Sequence, residues 1–182
     1  VIVGRHADEV KASLCPDYEY VVQDQLLGTG HAVMQVKPLL KNFDGHILVL
    51  CGDAPLIRPE VIEDMVRQHC RDSADCTLLT GILKNPAGYG RIMRKSNGAD
   101  QKIVEEGHAS LFDEATEEIN SGTYCFRWKR LVEALDKISL REEKGEFYLT
   151  DVVEVLSRSG ARIGTVTVDR GEEVLGINSR KQ

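Results

Sequence analysis

The sequence predicts an α/β fold, with a mixed, mostly parallel sheet that is covered by helices and carries a small inserted β subdomain. In the first half of the chain, short apolar segments alternate with stretches of helical periodicity, as strands and helices do in parallel sheets. After Gly88 the pattern changes to short strand-like stretches separated by Gly and Asn, which is typical of a mixed-direction insertion. The 182 residues are interpreted as one domain, 1–182.

The individual elements follow from local patterns. Apolar segments predict strands at 1–3, 18–23, 46–51, 76–83 and 163–168, and shorter strands at 91–94, 102–105 and 119–126. Apolar residues at helical spacing predict helices at 7–14, 28–40, 59–71, 131–138 and 150–159. Pro59 suits the first turn of its helix, Thr150 is expected to cap the last helix, and Gly160 is expected to end it in the left-handed conformation.

The composition argues against several classes of protein. The formal net charge is −6, from 23 Lys and Arg against 29 Asp and Glu, and no basic stripe stands out, so we expect no nucleic-acid partner. The apolar runs are far shorter than the roughly 20 residues of a membrane helix. The five cysteines are irregularly spaced and lack a Cys-x-x-Cys pair, which predicts reduced thiols in a cytoplasmic protein rather than disulfides or a zinc site.

The segment 48–56 is the sharpest local feature. An apolar strand runs into Gly52-Asp53, and the chain then turns at Pro55. Ligands of open α/β sheets collect beyond the carboxyl ends of the strands, and a carboxylate there suits Mg²⁺, which prefers oxygen ligands. Gly52 would let a bulky ligand approach the backbone closely. The alternative is that Asp53 only organises the turn around Pro55.

The segment 23–31 is the second candidate, because it follows a strand and places Gly28-Thr29-Gly30 at the start of a helix. Backbone N–H groups and the Thr29 hydroxyl would then face the crevice, and the Gln23 amide offers both a donor and an acceptor to a planar base. The segment is neither a Walker A nor a G-x-G-x-x-G motif. An ordinary glycine-containing start of a helix is the alternative.

Five further stretches, 86–92, 103–105, 118–122, 145–151 and 175–178, each combine polar side chains or glycines with apolar neighbours. A sugar requires such groups, because its hydroxyls need matched donors and acceptors. Taken singly, each has a structural explanation: a loop, a helix cap at Thr150, or a turn at Asn178.

Together and in this order, these stretches resemble one family, the N-terminal uridylyltransferase domain of the bacterial bifunctional N-acetylglucosamine-1-phosphate uridylyltransferase/glucosamine-1-phosphate acetyltransferase. The matching stretches are Gln23 with 27–32, then 52–56, 88–92, 103–105, 118–122, 145–151 and 176–180. The match covers essentially the whole chain, and its specificity lies in the joint order of the motifs. It implies a Rossmann-like sheet of the nucleotide-diphospho-sugar transferase type.

The resemblance implies that UTP and N-acetylglucosamine 1-phosphate are joined to UDP-N-acetylglucosamine, a cell-wall precursor, with release of pyrophosphate. Asp53 and Asn178 would hold Mg²⁺ and serve catalysis. The uracil would be held by Gln23, Gly28 and Thr29, and the sugar by Gly90, Glu105, Asn120, Tyr148 and Thr150. The resemblance also implies a cytoplasmic location and a homotrimer of the full-length protein.

The chain also departs from the family pattern. It starts at the family's second strand, so the first strand, a Gly-rich loop with Gly-Thr-Arg-Met and a later Lys are expected to be missing, roughly fifty residues in all. Cys51 stands in place of a Tyr and Leu175 in place of a Glu, and no acetyltransferase β-helix repeat is present. We therefore expect the isolated chain to be impaired or inactive. The alternatives are another sugar-phosphate nucleotidyltransferase and a non-catalytic fragment.

Overall fold

The computed structural model describes residues 1–94, 101–105 and 116–177. Its strands are β1 (Ile2–Val3), β2 (Val21–Val22), β3 (His46–Val49), β4 (Cys76–Ile82), β5 (Arg91–Arg94), β6 (Gln101–Val104), β7 (Glu118–Arg127) and β8 (Ile163–Thr167). Its helices are α1 (Ala7–Ser13), α2 (Gly28–Met34), α3 (Pro59–Arg71), α4 (Trp128–Leu135) and α5 (Thr150–Arg158), and a 3₁₀ turn covers Gly171–Val174.

The predicted elements are all found, with differences at their ends. The largest difference is α2, which ends at Met34 rather than near Leu40. From there most backbone bonds span three residues instead of four, for example from the Lys37 N–H to the Met34 carbonyl at 3.1 Å. Pro38 explains the change, because a proline disfavours helical conformation in the residue before it.

The described strands form two sheets, which confirms a mixed α/β fold. β1 and β2 make a parallel pair, and the larger sheet has the order β6-β5-β7-β4-β8, with β3 also bonded to β7. β7 runs against β3, β4 and β5, whereas β4 and β8 are parallel. Four strands of the larger sheet therefore share one direction, and the oppositely directed β7 lies among them.

Helices cover both faces of the larger sheet, because its buried strands alternate apolar side chains between the faces. Phe126 packs into the cluster with α4 and α5, through residues such as Leu131 and Val152. The neighbouring Cys125 belongs to the opposite cluster, which contains Met65 of α3. Within the described residues, no helix combines the length and apolar character that crossing a bilayer requires.

Side-chain hydrogen bonds connect β3, α3 and β4 in series. His46 Nδ1 lies 2.8 Å from His69 Nε2, and His69 Nδ1 lies 2.8 Å from the Thr77 hydroxyl oxygen. His69 is completely buried. Burial, together with the smaller effects of His46 and Arg127, lowers the pKa of His69 from its ordinary value of 6.5 to about 4, and Asp75 opposes the shift. The imidazole is therefore neutral in the folded protein near pH 7.

Acid should destabilise the protein between the two pKa values of His69. The folded chain has the lower pKa, so the unfolded chain binds more protons between about pH 4 and 6.5. We expect the free energy of unfolding to be highest above this window and to fall as the pH drops through it, which urea unfolding at several pH values measures. His69→Gln should flatten the dependence, and an equal slope in both proteins would contradict the assignment.

Candidate functional site

A pocket of about 270 Å³ opens where the connections after β3 and before β5 meet the first half of β7. Four of the residues predicted from the sequence line it: Asp53, Gly90, Glu105 and Asn120. The lining also contains residues to which the sequence assigned no role, namely Cys51, Gly88, Tyr89, Ser121, Gly122 and Gly176. Segments far apart in the sequence therefore converge on one concave surface, as a ligand site requires.

Asp53 lies on the rim of this pocket with an exposed side chain. Among the described residues, none forms a hydrogen bond or an ion pair with its carboxylate, so both oxygens are available to a ligand. Its backbone carbonyl accepts the Ile177 N–H at 2.7 Å. Ile177 thus lies beside Asp53, and Asn178, the second predicted metal ligand, lies outside the described residues.

Cys51 faces the same pocket, two residues before Asp53. Its thiol lies 3.4 Å from the Gly122 carbonyl oxygen, to which it donates. Burial raises the pKa of Cys51, and the nearby Asp53 charge raises it further, so the thiol is neutral and a poor nucleophile. Cys51 therefore shapes the wall of the pocket.

Asn120 is anchored by a bend in β7 but keeps hydrogen-bonding capacity for a ligand. Its side-chain Nδ2 donates to the Tyr124 hydroxyl at 2.7 Å, and its Oδ1 accepts the Gly122 N–H at 3.3 Å. Gly122 has a φ of +76°, and the register between β4 and β7 shifts at this point. Since an amide has two donors and two acceptor lone pairs, Asn120 retains one hydrogen and one lone pair.

Thr150 and Tyr148 are not among the residues that line the pocket. The Thr150 hydroxyl donates to Glu105 Oε1 at 2.8 Å, and no side-chain hydrogen bond caps α5, so the predicted capping role of Thr150 is wrong. The Tyr148 ring lies under Arg141, with the guanidinium carbon 4.8 Å from the ring centroid. Thr150 therefore orients the Glu105 carboxylate, which does line the pocket.

The predicted uracil-binding residues form a second group, which backbone bonds connect to the predicted sugar segment. The Phe147 N–H donates to the Leu27 carbonyl and the Gly30 N–H donates to the Phe147 carbonyl, both at 2.8 Å. The Leu149 N–H donates to the Thr29 hydroxyl oxygen at 3.1 Å. Gln23 is nearly buried beside them. Segments 27–30 and 147–149 are thus held as one unit.

Gly28 is the position where this unit tolerates a side chain least. Its φ is +92°, and a Cβ there would meet the Phe147 carbonyl oxygen at 2.7 Å. Gly28→Ala should therefore lower the free energy of unfolding by about 1–3 kcal/mol and weaken nucleotide binding, as thermal unfolding and calorimetry measure.

Gly145→Ala is the matched control, because Gly145 also has a positive φ, +64°, but no atom within 4 Å of the added Cβ. It should cost only the backbone strain of about 1 kcal/mol and leave nucleotide binding unchanged. Equal effects of the two substitutions on binding would contradict the close packing of segments 27–30 and 147–149.

Tyr89 is a pocket residue that the sequence interpretation did not assign. Its hydroxyl accepts the Gly176 N–H at 3.2 Å, which ties the turn before β5 to the segment next to Asp53. The sequence does indicate a special position for Tyr89, since it stands between two glycines in 88–90. What the sequence lacked was any indication of its partner 87 residues away.

The described residues contain no group of three or more His, Cys, Asp or Glu side chains suited to a metal ion. Mg²⁺ is usually held by one or two carboxylates together with substrate phosphates and water. The exposed carboxylate of Asp53, which no described residue engages, is a suitable hard oxygen ligand. Asp53 is therefore the described residue that could hold this ion.

A pocket at the ends of sheet strands, with a few polar side chains and glycine-containing loops around it, is typical of ligand sites in α/β proteins. The chain belongs to the nucleotidyl transferase family, which matches residues 3–170. The family resemblance expected from the motifs is thereby confirmed.

Relatives of known name support the same assignment. The bifunctional protein GlmU of Acetivibrio thermocellus is 43% identical over 182 residues, which is 100% of this chain and 40% of that relative. The proteins of the same name from Geobacillus sp. (strain WCH70) and Bacillus subtilis (strain 168) are 46% and 44% identical over 179 residues, 98% of this chain and 39% of each relative. The chain thus spans about 40% of the length of these relatives.

Solved structures share the fold. The structure of UDP-glucose pyrophosphorylase complexed with UDP-glucose has a TM-score of 0.67 and 15% identity, covering 90% of this chain and 70% of that one. The structure of a putative glucose-1-phosphate thymidylyltransferase from Bacillus anthracis, in complex with a sucrose, has a TM-score of 0.71 and 17% identity, covering 92% and 66%. These likenesses confirm the fold class.

Proposed function

We propose that the protein transfers a uridylyl group from UTP to N-acetylglucosamine 1-phosphate, giving UDP-N-acetylglucosamine and pyrophosphate. Because the chain spans about 40% of the length of its relatives, the activity is proposed for the whole protein. The family resemblance further supports a cytoplasmic location, a role in cell-wall precursor synthesis and a homotrimer of the full-length protein.

The observation that carries the proposal is the Asp53 carboxylate, which has no partner among the described residues and lies on the rim of a pocket that also contains Glu105 and Asn120. A sugar phosphate needs polar groups that pair with its sugar, and it needs a metal-binding carboxylate near its phosphate. Its hydroxyls and acetamido group require matched donors and acceptors, which the Glu105 carboxylate and the remaining valences of Asn120 supply. Its phosphate requires neutralisation, which a carboxylate provides only through a bound cation.

The reaction needs no nucleophilic side chain, since the phosphate of the sugar phosphate attacks the α-phosphorus of UTP directly. The protein contributes by aligning the two substrates and by preventing them from binding in other relative orientations. Segments 27–30 and 147–149 would hold the base and the sugar at a fixed separation, because three hydrogen bonds connect them. Mg²⁺ held by Asp53 and Asn178 would supply Lewis-acid stabilisation of the phosphate charge.

Pyrophosphate release by the full-length protein tests the proposal, with N-acetylglucosamine 1-phosphate as acceptor and UTP, dTTP, CTP or GTP as donor. We expect UTP to give the highest kcat/KM. A preference for another nucleotide would identify a different sugar-phosphate nucleotidyltransferase. Absence of turnover with every donor would support a non-catalytic protein and contradict the proposal.

A further inference from the structure

The ring of His31 lies between two glutamine side chains. Gln23 Nε2 is 2.9 Å from His31 Nδ1, and Gln35 Nε2 is 3.1 Å from His31 Nε2. The ring also stacks on Phe147, with the ring centroids 6.4 Å apart. Both nitrogens of the imidazole are thus engaged, and the ring is held in place by a residue of segment 147–149.

Backbone carbonyls orient both amide groups. Gln23 Nε2 donates to the Gly28 carbonyl at 3.0 Å, and Gln35 Nε2 donates to the His31 carbonyl at 3.0 Å. A carbonyl only accepts, so each amide directs its NH₂ group towards the ring. A neutral imidazole accepts at one nitrogen and donates at the other. One of the two glutamines must therefore turn its oxygen towards His31 and give up its carbonyl partner.

Burial decides which amide turns. Gln23 is 9% exposed, so losing its bond to the Gly28 carbonyl would leave a buried polar group unpaired, which is costly. Gln35 is only partly buried, and water can replace its bond to the His31 carbonyl. The favoured arrangement has a proton on His31 Nε2, facing the Gln35 oxygen, and a bare Nδ1 that accepts from Gln23.

In this arrangement both N–H groups of Gln23 are used inside the protein, and its Oε1 is left for a ligand. Gln23 Oε1 lies on the side of Gly4, 4.0 Å from the position of a Cβ at that glycine, directly after β1. An acceptor at this point pairs with the N3–H of uracil. It repels cytosine, whose N3 is itself an acceptor.

We propose that His31 is a positioning residue that sets the base selectivity of the protein by fixing the orientation of the Gln23 amide. The inference rests on the proposed function, in which Gln23 contacts the base. With His31 in place, the amide presents only its oxygen. Without the Nδ1 acceptor, the amide is held by the Gly28 carbonyl alone, and the inverted orientation, which presents NH₂ to cytosine, becomes accessible.

Calorimetric titration of the full-length protein with UTP and with CTP, both with Mg²⁺, tests this inference. His31→Leu removes both ring nitrogens and should lower the ratio of UTP affinity to CTP affinity by roughly fivefold to tenfold. His31→Asn keeps an oxygen acceptor close to the position of Nδ1 and should restore most of the ratio. Gln35→Leu, the control, removes the acceptor of the Nε2 proton, which water can replace, and should leave the ratio unchanged.

The outcomes separate the inference from the function on which it rests. Equal weakening of UTP and CTP binding by His31→Leu, or by His31→Asn if the leucine variant does not fold, would show a merely structural role and overturn the inference. Equal affinity for the two nucleotides in the unaltered chain, or an unchanged ratio in Gln23→Leu, would instead contradict the proposed uridine-binding function. A lowered ratio in His31→Leu that His31→Asn restores supports both.

Discussion

Replacing Asp53 with alanine should lower the turnover of the full-length protein by roughly 10²- to 10³-fold, the scale of losing one electrostatic group in a phosphoryl-transfer site. The reason is geometric: Asp53 places an exposed carboxylate on the pocket rim, with no competing side-chain partner among the described residues. In the 182-residue chain, the same substitution should remove the Mg²⁺-dependent part of UDP-N-acetylglucosamine binding, which titration with and without the metal measures.

Glu63→Ala is the matched control, because Glu63 is an exposed carboxylate on α3 and does not line the pocket. It removes the same charge from the protein and should leave metal-dependent binding intact. If Asp53→Ala retained the full difference between binding with and without Mg²⁺, Asp53 would be only a turn residue and the site would be assigned wrongly.

Phe126→Ala should lower the free energy of unfolding by about 3–5 kcal/mol, a large part of the 5–15 kcal/mol typical of a domain. Phe126 is completely buried in β7, between Ile47 of β3 and Cys76 of β4. Its ring stacks on Tyr124, with centroids 5.4 Å apart. The truncation would leave a cavity where the strands and α4 meet, and urea unfolding measures its cost.

Leu39→Ala serves as the control for this substitution, since Leu39 is 61% exposed and its truncation should change stability by less than about 0.5 kcal/mol. Phe126→Leu provides a milder change if the alanine variant does not fold. A loss for Phe126→Ala as small as that for Leu39→Ala would mean that β7 is not the centre of the core.

The sequence predicted the positions of the elements well, because apolar periodicity and turn residues are local signals. Pro59 starts α3, and Gly160 follows α5 with a φ of +71°, both as expected. The partners of the strands were not predictable in the same way. Alternation along β7 is compatible with either neighbour direction, and its position against β3, β4 and β5 depends on contacts far apart in the chain.

The candidate site shows the same division between local and long-range information. The motifs identified Asp53, Glu105 and Asn120, which the fold does bring to one pocket. Thr150 was interpreted as a cap because threonine before an apolar helix is a common capping signal, but its hydroxyl bonds to Glu105, 45 residues earlier. When a polar side chain can bond either to its own helix or to a distant residue, sequence spacing alone does not show which bond it forms.

The most direct test of the account is a crystal structure of the chain with UDP-N-acetylglucosamine and Mn²⁺, a substitute for Mg²⁺ that anomalous scattering locates. We expect a manganese ion bonded to the Asp53 carboxylate, with the sugar lying between Glu105 and Asn120 and the uracil N3–H directed at the Gln23 oxygen. An ordered ligand whose metal is bound elsewhere, with the Asp53 side chain turned away from it, would contradict the account.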